Sequence, residues 1–117
     1  MEKNNVLELM KTRRSIRKFK PNMIPNEIIE KIVTAGTYAA TGMNKQSPII
    51  IAITNKEIRD RFSKLNAEIM GTKSDPFYGA PVVLIVLADK DWVNRVYDGS
   101  LVMGNLMLAA HSLGIGS

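Results

Sequence analysis

The chain has 117 residues, of which 45% are hydrophobic and none is cysteine, and 16 Lys plus Arg stand against 11 Asp plus Glu for a formal net charge of +5. That length suits a single domain with one core, and the apolar fraction excludes wholesale disorder. The lack of cysteine excludes a disulfide framework, thiolate metal sites and a cysteine nucleophile.

The charge is unevenly placed. Residues 1–20 hold seven cations (Lys3, Lys11, Arg13, Arg14, Arg17, Lys18, Lys20) and two anions (Glu2, Glu8), while the other 97 residues carry nine of each sign. No acid lies between Lys11 and Lys20. A concentrated cationic site is expected there, facing phosphate, nucleic acid or an anionic membrane. No secretory signal is visible at the N-terminus. The most apolar stretch, Gly99 to Ile115, is interrupted by Asn105 and His111 and is shorter than the roughly 20 residues of a spanning helix. The expectation is a soluble protein of a reducing, cytoplasmic compartment with no membrane partner.

In chain order, Asn4 or Asn5 caps a first helix in which Val6, Leu9 and Met10 recur at helical spacing. That helix ends in the basic segment, with Pro21 beyond it. Pro25 suits a first helical position, followed by the apolar stripe Ile28, Ile29, Ile32 and Val33. Thr37 to Pro48 reads as a loop. Ile49 to Ile53 is a β-branched run suited to a strand buried on both faces. Thr54 and Glu57 have capping-box spacing before a helix with Ile58, Phe62, Leu65 and Ile69 on one face. Gly71 to Pro81 is a second loop, and Val82 to Ala88 a second buried strand. From about Asp91 to Leu113 the chain reads as helical, and from Leu101 onward it is apolar nearly all round. Such a helix must be surrounded by protein, either in a core or at a subunit interface. Gly114 is a stop signal. Strands among helices give an α/β or α+β class. Two strands make a poor sheet and Ser117 follows a helix stop, so an incomplete domain is expected.

The sharpest feature is Arg13-Arg14-Ser15-Ile16-Arg17. Arginine offers planar, multi-donor forks that fit phosphate, and the serine hydroxyl adds a donor. A solvated basic face or a match to a helix C-terminal dipole accounts for it equally well on composition. The second feature is the polar loop Thr41-Gly42-Met43-Asn44-Lys45-Gln46-Ser47-Pro48. Asn and Gln amides present both donor and acceptor to a heteroaromatic edge, and Gly42 permits close approach. An ordinary polar turn is the plainer account. His111 is the sole histidine and reads as a satisfied core residue, with no metal site. Trp92, Met103 and Met107 read as packing, and Asp89 and Asp91 as a polar strand end. There is no Walker motif and no nucleophile elbow.

Taken in order, these segments resemble the FMN-dependent nitroreductase family. The match is carried by Arg13-Arg14-Ser15-Ile16-Arg17-Lys18-Phe19, by Ala39-Ala40-Thr41-Gly42-Met43-Asn44-Lys45-Gln46, and by Gly79-Ala80-Pro81 before an apolar strand. It is completed by Asp98-Gly99-Ser100 running into Leu108-Ala109-Ala110-His111-Ser112-Leu113-Gly114. The resemblance implies an α+β, three-layer sandwich with a mixed sheet flanked by helices, a single domain over 1–117, and a homodimer with FMN at its interface. Arg13, Arg14 and Ser15 would hold the FMN phosphate and ribityl chain. Arg17 would lie near the flavin N1/C2=O edge. Thr41 and Asn44 would reach the flavin from the partner subunit, with Gln46 supporting their loop and Lys73 approaching the pyrimidine edge. No protein side chain would be catalytic, because the chemistry lies on flavin N5. The implied reaction passes hydride from NADH or NADPH to a small nitroaromatic, quinone or similar acceptor. The family continues for some tens of residues past the position of Ser117, which implies an incomplete C-terminus. It carries a tryptophan or bulky aromatic after its Asn-x-Gln-Pro step, where this chain runs Gln46-Ser47-Pro48-Ile49. The competing readings are a non-catalytic dimer of the same fold and an anion or nucleic-acid binder. Nucleic-acid binding is disfavoured because only Phe19 interleaves the cations.

Overall fold

The computed structural model describes residues 5–117. The capping role expected of Asn4, and the charges of Glu2 and Lys3, lie outside the described residues. The order is α1 (Asn5–Thr12), α2 (Asn26–Thr37), a 3-10 turn at Gly42–Asn44, β1 (Ile49–Ile53), α3 (Lys56–Met70), β2 (Val83–Leu87) and α4 (Arg95–Ser112). Among the described residues no helix is long and apolar enough to cross a membrane.

The core lies between α2, α4 and one face of the sheet. Every fourth residue of α4 is buried, giving the stripe Asp98, Val102, Leu106 and Ala110. Ile29, Ile32 and Gly36 of α2 are buried with it, and Ile50, Leu84 and Val86 close the cluster from the sheet. Asn105 Nδ2 donates to the Ala35 carbonyl at 3.0 Å, tying α4 to the end of α2. Gly36 sits where the two helices and β1 come closest. A Cβ there would stand 2.6 Å from Leu106 Cδ2 and 2.8 Å from Ile50 Cδ1. Gly36→Ala is therefore expected to cost about 1–3 kcal/mol by overpacking, read as a lower urea midpoint with an unchanged m-value.

The sheet departs from expectation in two ways. Its two strands pair antiparallel, with Ile53 opposite Val83 and Ile49 opposite Leu87, so the described residues do not form a mixed sheet. The reason is the long return after α3, which brings the chain back beside the end of β1 before β2 begins. Nor are the strands buried on both faces. Ile50, Leu84 and Val86 turn inward, whereas on the other face Ile49 is 57% and Ile51 41% exposed and only Ile53 is buried.

Two helices are also corrected. The N-cap of α3 is Asn55, one residue after Thr54, and its Oδ1 accepts from Ile58 N at 3.0 Å. The face α3 buries is Arg59, Ser63 and Ala67. Ile58 and Leu65 are more than half exposed and Ile69 is 86% exposed. A polar network with the following loop decides which face turns in. On α4 this chain by itself encloses one stripe from Leu101 onward, and Leu101 and Met103 stay exposed on the side that the expectation leaves to a subunit interface. The helix starts at Arg95, later than expected, and Gly114 ends it at φ +75° as expected.

Candidate functional site

The basic segment follows α1 without regular structure and lies beside the C-terminal end of α4. Ile16 N donates to the Ser117 carbonyl at 2.9 Å, holding the two stretches together. Between them is a cleft of about 310 Å³ lined by Thr12, Arg13, Arg14, Ile16, His111 and residues 114–117. The two adjacent arginines have different employment. Arg14 Nη1 donates to the carbonyls of Lys11 and Arg13, each at 2.8 Å, and so satisfies the last turn of α1. Arg13 Nη1 is buried and has no hydrogen-bond partner among the described residues. A buried guanidinium donor without a partner is costly unless it is reserved for an anion. Ser15 and Arg17 follow in the same segment; both are exposed and neither lines the cleft.

His111 is half-buried at the wall of this cleft rather than in the core. Its Nε2 lies 2.9 Å from Thr12 Oγ1, and that hydroxyl lies 2.7 Å from the Glu8 carbonyl, to which it donates. Thr12 has one proton, already given to Glu8, so the ring nitrogen is assigned as the donor to Thr12.

The polar loop forms a second cluster. Gln46 Nε2 donates to Asn44 Oδ1 at 2.8 Å, and Gln46 N donates to Thr41 Oγ1 at 3.1 Å. Met43, Asn44 and Gln46 all have positive φ, between 51° and 54°. Left-handed backbone at non-glycine residues costs roughly 1 kcal/mol or more each and persists only where the surroundings enforce it. Against the entry of this turn lies Asp98, which is 2% exposed at the start of α4. Its Oδ1 accepts from Gly42 N at 2.8 Å and its Oδ2 from Trp92 Nε1 at 2.9 Å. Lys45 Nζ sits 5.7 Å above the Trp92 ring, a cation–π contact. Trp92 is thus a hydrogen-bonding platform and not merely packing. Sequence reading placed Asp98 in the family match but gave it no role, although a single acid opening an apolar four-residue stripe was a usable signal.

A third cluster, also missed, locks the loop after α3. Asp75 accepts from Arg59 Nη2, from Ser63 Oγ at 2.7 Å, and from the backbone N–H groups of Phe77 and Gly79 at 3.0 and 2.8 Å. Arg59 Nε also donates to the Ala80 carbonyl at 2.8 Å. Burial works against ionisation of Asp75, but the bonds from Arg59, Phe77, Ser63 and Gly79 outweigh it and hold its carboxyl well below the usual range. Lys73 is exposed in the turn beside this network, on a surface with Arg59 and Ser63, and does not line the cleft of Arg13 and Arg14. No hydrogen bond or ion pair among the described residues joins the arginine cleft to the 41–46 loop.

Residues 10–77 match the Nitroreductase family, more than half of the chain. The chain belongs to the Nitroreductase family. Similarity within the family runs beyond the matched segment. A Methanothermobacter thermautotrophicus protein named as an NADH dehydrogenase/NAD(P)H nitroreductase is 33% identical over all of this chain, which spans 61% of that protein's length. A Bacteroides fragilis nitroreductase with bound FMN is 30% identical with a TM-score of 0.85, covering 97% of this chain and 68% of its own. A Desulfitobacterium hafniense nitroreductase with bound FMN is 29% identical with a TM-score of 0.87, covering 98% and 69%. These fits make the α+β nitroreductase fold that of the described residues.

Proposed function

We propose that residues 1–117 form a single FMN-binding unit of an NAD(P)H-dependent oxidoreductase, working as a homodimer. The observation that carries the reading is Arg13, whose buried Nη1 finds no partner among the described residues in a cleft it lines with Thr12, Arg14 and His111. The donor set fits a monophosphate. Arg13 would bind it, Arg14 would hold the end of α1 at its back, and Ser15 would donate to the phosphate or ribityl oxygens. Arg17 would face the N1/C2=O edge, Thr41 and Asn44 would reach the flavin from the partner subunit, Gln46 would brace Asn44, and Lys73 would approach the pyrimidine edge. When bound, FMN supplies hydride exchange between NADH or NADPH and a small electron-poor acceptor such as a nitroaromatic or quinone. The exposed apolar side chains of α4 and of the outer sheet face support a dimer, since patches of this kind mark association surfaces.

The direct test is to incubate the purified chain with FMN, desalt it, and record flavin absorbance and the quenching of flavin fluorescence. Retained FMN near one per chain is the expected result. A chain that returns all its FMN, yet binds generic DNA with steep salt dependence, would instead support the polyanion-binding reading.

A further inference from the structure

Three of the four buried positions on the inner stripe of α4 are Val102, Leu106 and Ala110, and the first is an acid, Asp98. Among the described residues no cation pairs with it. A buried carboxylate without a counter-ion is retained only where its hydrogen bonds compensate. Its place in the first turn of α4 helps, because the positive end of the helix dipole lies there. The two oxygens hold two donors, the Gly42 N–H and the Trp92 indole, and each belongs to the seat of the 41–46 loop.

We propose that Asp98 is the positioning residue of the flavin-contacting loop. It touches no flavin. It anchors Gly42 directly and, through Trp92, gives Lys45 its platform, so that extended Thr41 and left-handed Asn44 are held on either side of Gly42. This rests on the reading of residues 41–46 as a flavin contact. The chemistry requires an acid. An asparagine amide would turn its NH₂ toward one of the two donors whichever way it flipped.

The test titrates FMN into Asp98→Asn while following flavin fluorescence and the emission of Trp92, the single tryptophan. The Kd for FMN is expected to rise about tenfold or more, with Trp92 emission already shifted before FMN is added. Trp92→Phe keeps the ring and the Gly42 bond but leaves Asp98 Oδ2 without its donor, and is expected to weaken FMN binding by less than Asp98→Asn does. A larger loss than that of Asp98→Asn would overturn the proposal. An Asp98→Asn protein with shifted Trp92 emission and unchanged FMN affinity would overturn the proposal.

A second pair of variants reads the same seat without altering Asp98. A Cβ on Gly42 would lie 2.5 Å from Asn94 Nδ2 and 3.2 Å from Asn94 Cβ and Cγ. Gly42→Ala should therefore displace the loop and weaken FMN binding by a similar factor. Adding Asn94→Gly clears the obstruction and should restore the affinity, as a purely global defect would not. Failure of that rescue counts against the loop seat even where Asp98→Asn does not fold. A wild-type chain that leaves FMN free would sink the cofactor reading, whereas wild-type binding with unaffected variants would sink this proposal alone.

Discussion

Replacing Arg13 by alanine is expected to weaken FMN binding by about 100-fold, the largest loss among single changes in the basic segment. Hydrogen bonds to charged groups contribute about 1.5–3 kcal/mol each, and an arginine fork can make two of them to one phosphate. Arg13 is the member of the pair whose buried Nη1 has no partner among the described residues, so that capacity is available to a ligand. Arg14 Nη1 is committed to two carbonyls at the end of α1. Arg14→Ala should accordingly cost less in affinity, about tenfold, and show part of its effect as fraying of α1. Arg13→Lys keeps the charge but loses the planar fork, and should fall between wild type and alanine. Flavin-fluorescence titrations of the three variants check the order. Equal losses for Arg13→Ala and Arg14→Ala would contradict the division of labour.

Removing Asp75 is expected to have the largest effect on stability, about 3 kcal/mol for Asp75→Ala. Arg59 has a side chain only 10% exposed, and Asp75 one 29% exposed. An ion pair of this kind is worth little against two well-packed apolar residues, but deleting one member strands the other. Here the loss also frees Ser63 and the backbone N–H groups of Phe77 and Gly79, and with them the return that delivers β2 to β1. The carboxyl of Asp75 lies below its unfolded value, near pH 4. Its contribution is therefore complete above that value and is lost as pH falls through the lower folded-state one. The wild-type urea midpoint should drop on acidification below about pH 4, and Asp75→Asn should remove that component of the slope. A variant with the wild-type acid slope would show that other carboxylates carry it.

Much of the chain was legible because its signals are local. The apolar stripe behind Pro25, the β-branched run at Ile49 and the stop at Gly114 each act over a few residues, and each element stands within a few residues of its expected place. The cationic segment and its family motif were equally readable, being contiguous. Burial was not. The apolar face of α3, Ile58, Phe62, Leu65 and Ile69, was the natural choice for the core, yet Arg59, Ser63 and Ala67 are the buried residues. Of that face only Phe62 is half-buried, stacked on Phe77. No pattern within the helix announces that Asp75 waits in a loop to satisfy Arg59.

By itself the sequence determined the order of helices and strands, the single cationic segment and the family, since propensity, capping and contiguous motifs need no distant partner. Only the tertiary structure decided which side chains do the work at each site. Asp98 meets Gly42 across 56 positions, and Thr12 meets His111 across 99. The separate roles of Arg13 and Arg14 likewise depend on what surrounds each guanidinium. Such pairings cost chain entropy to close and are stabilised only once the core between α2 and α4 brings their elements together. Composition cannot carry that information, because it lies in distances that exist only after folding.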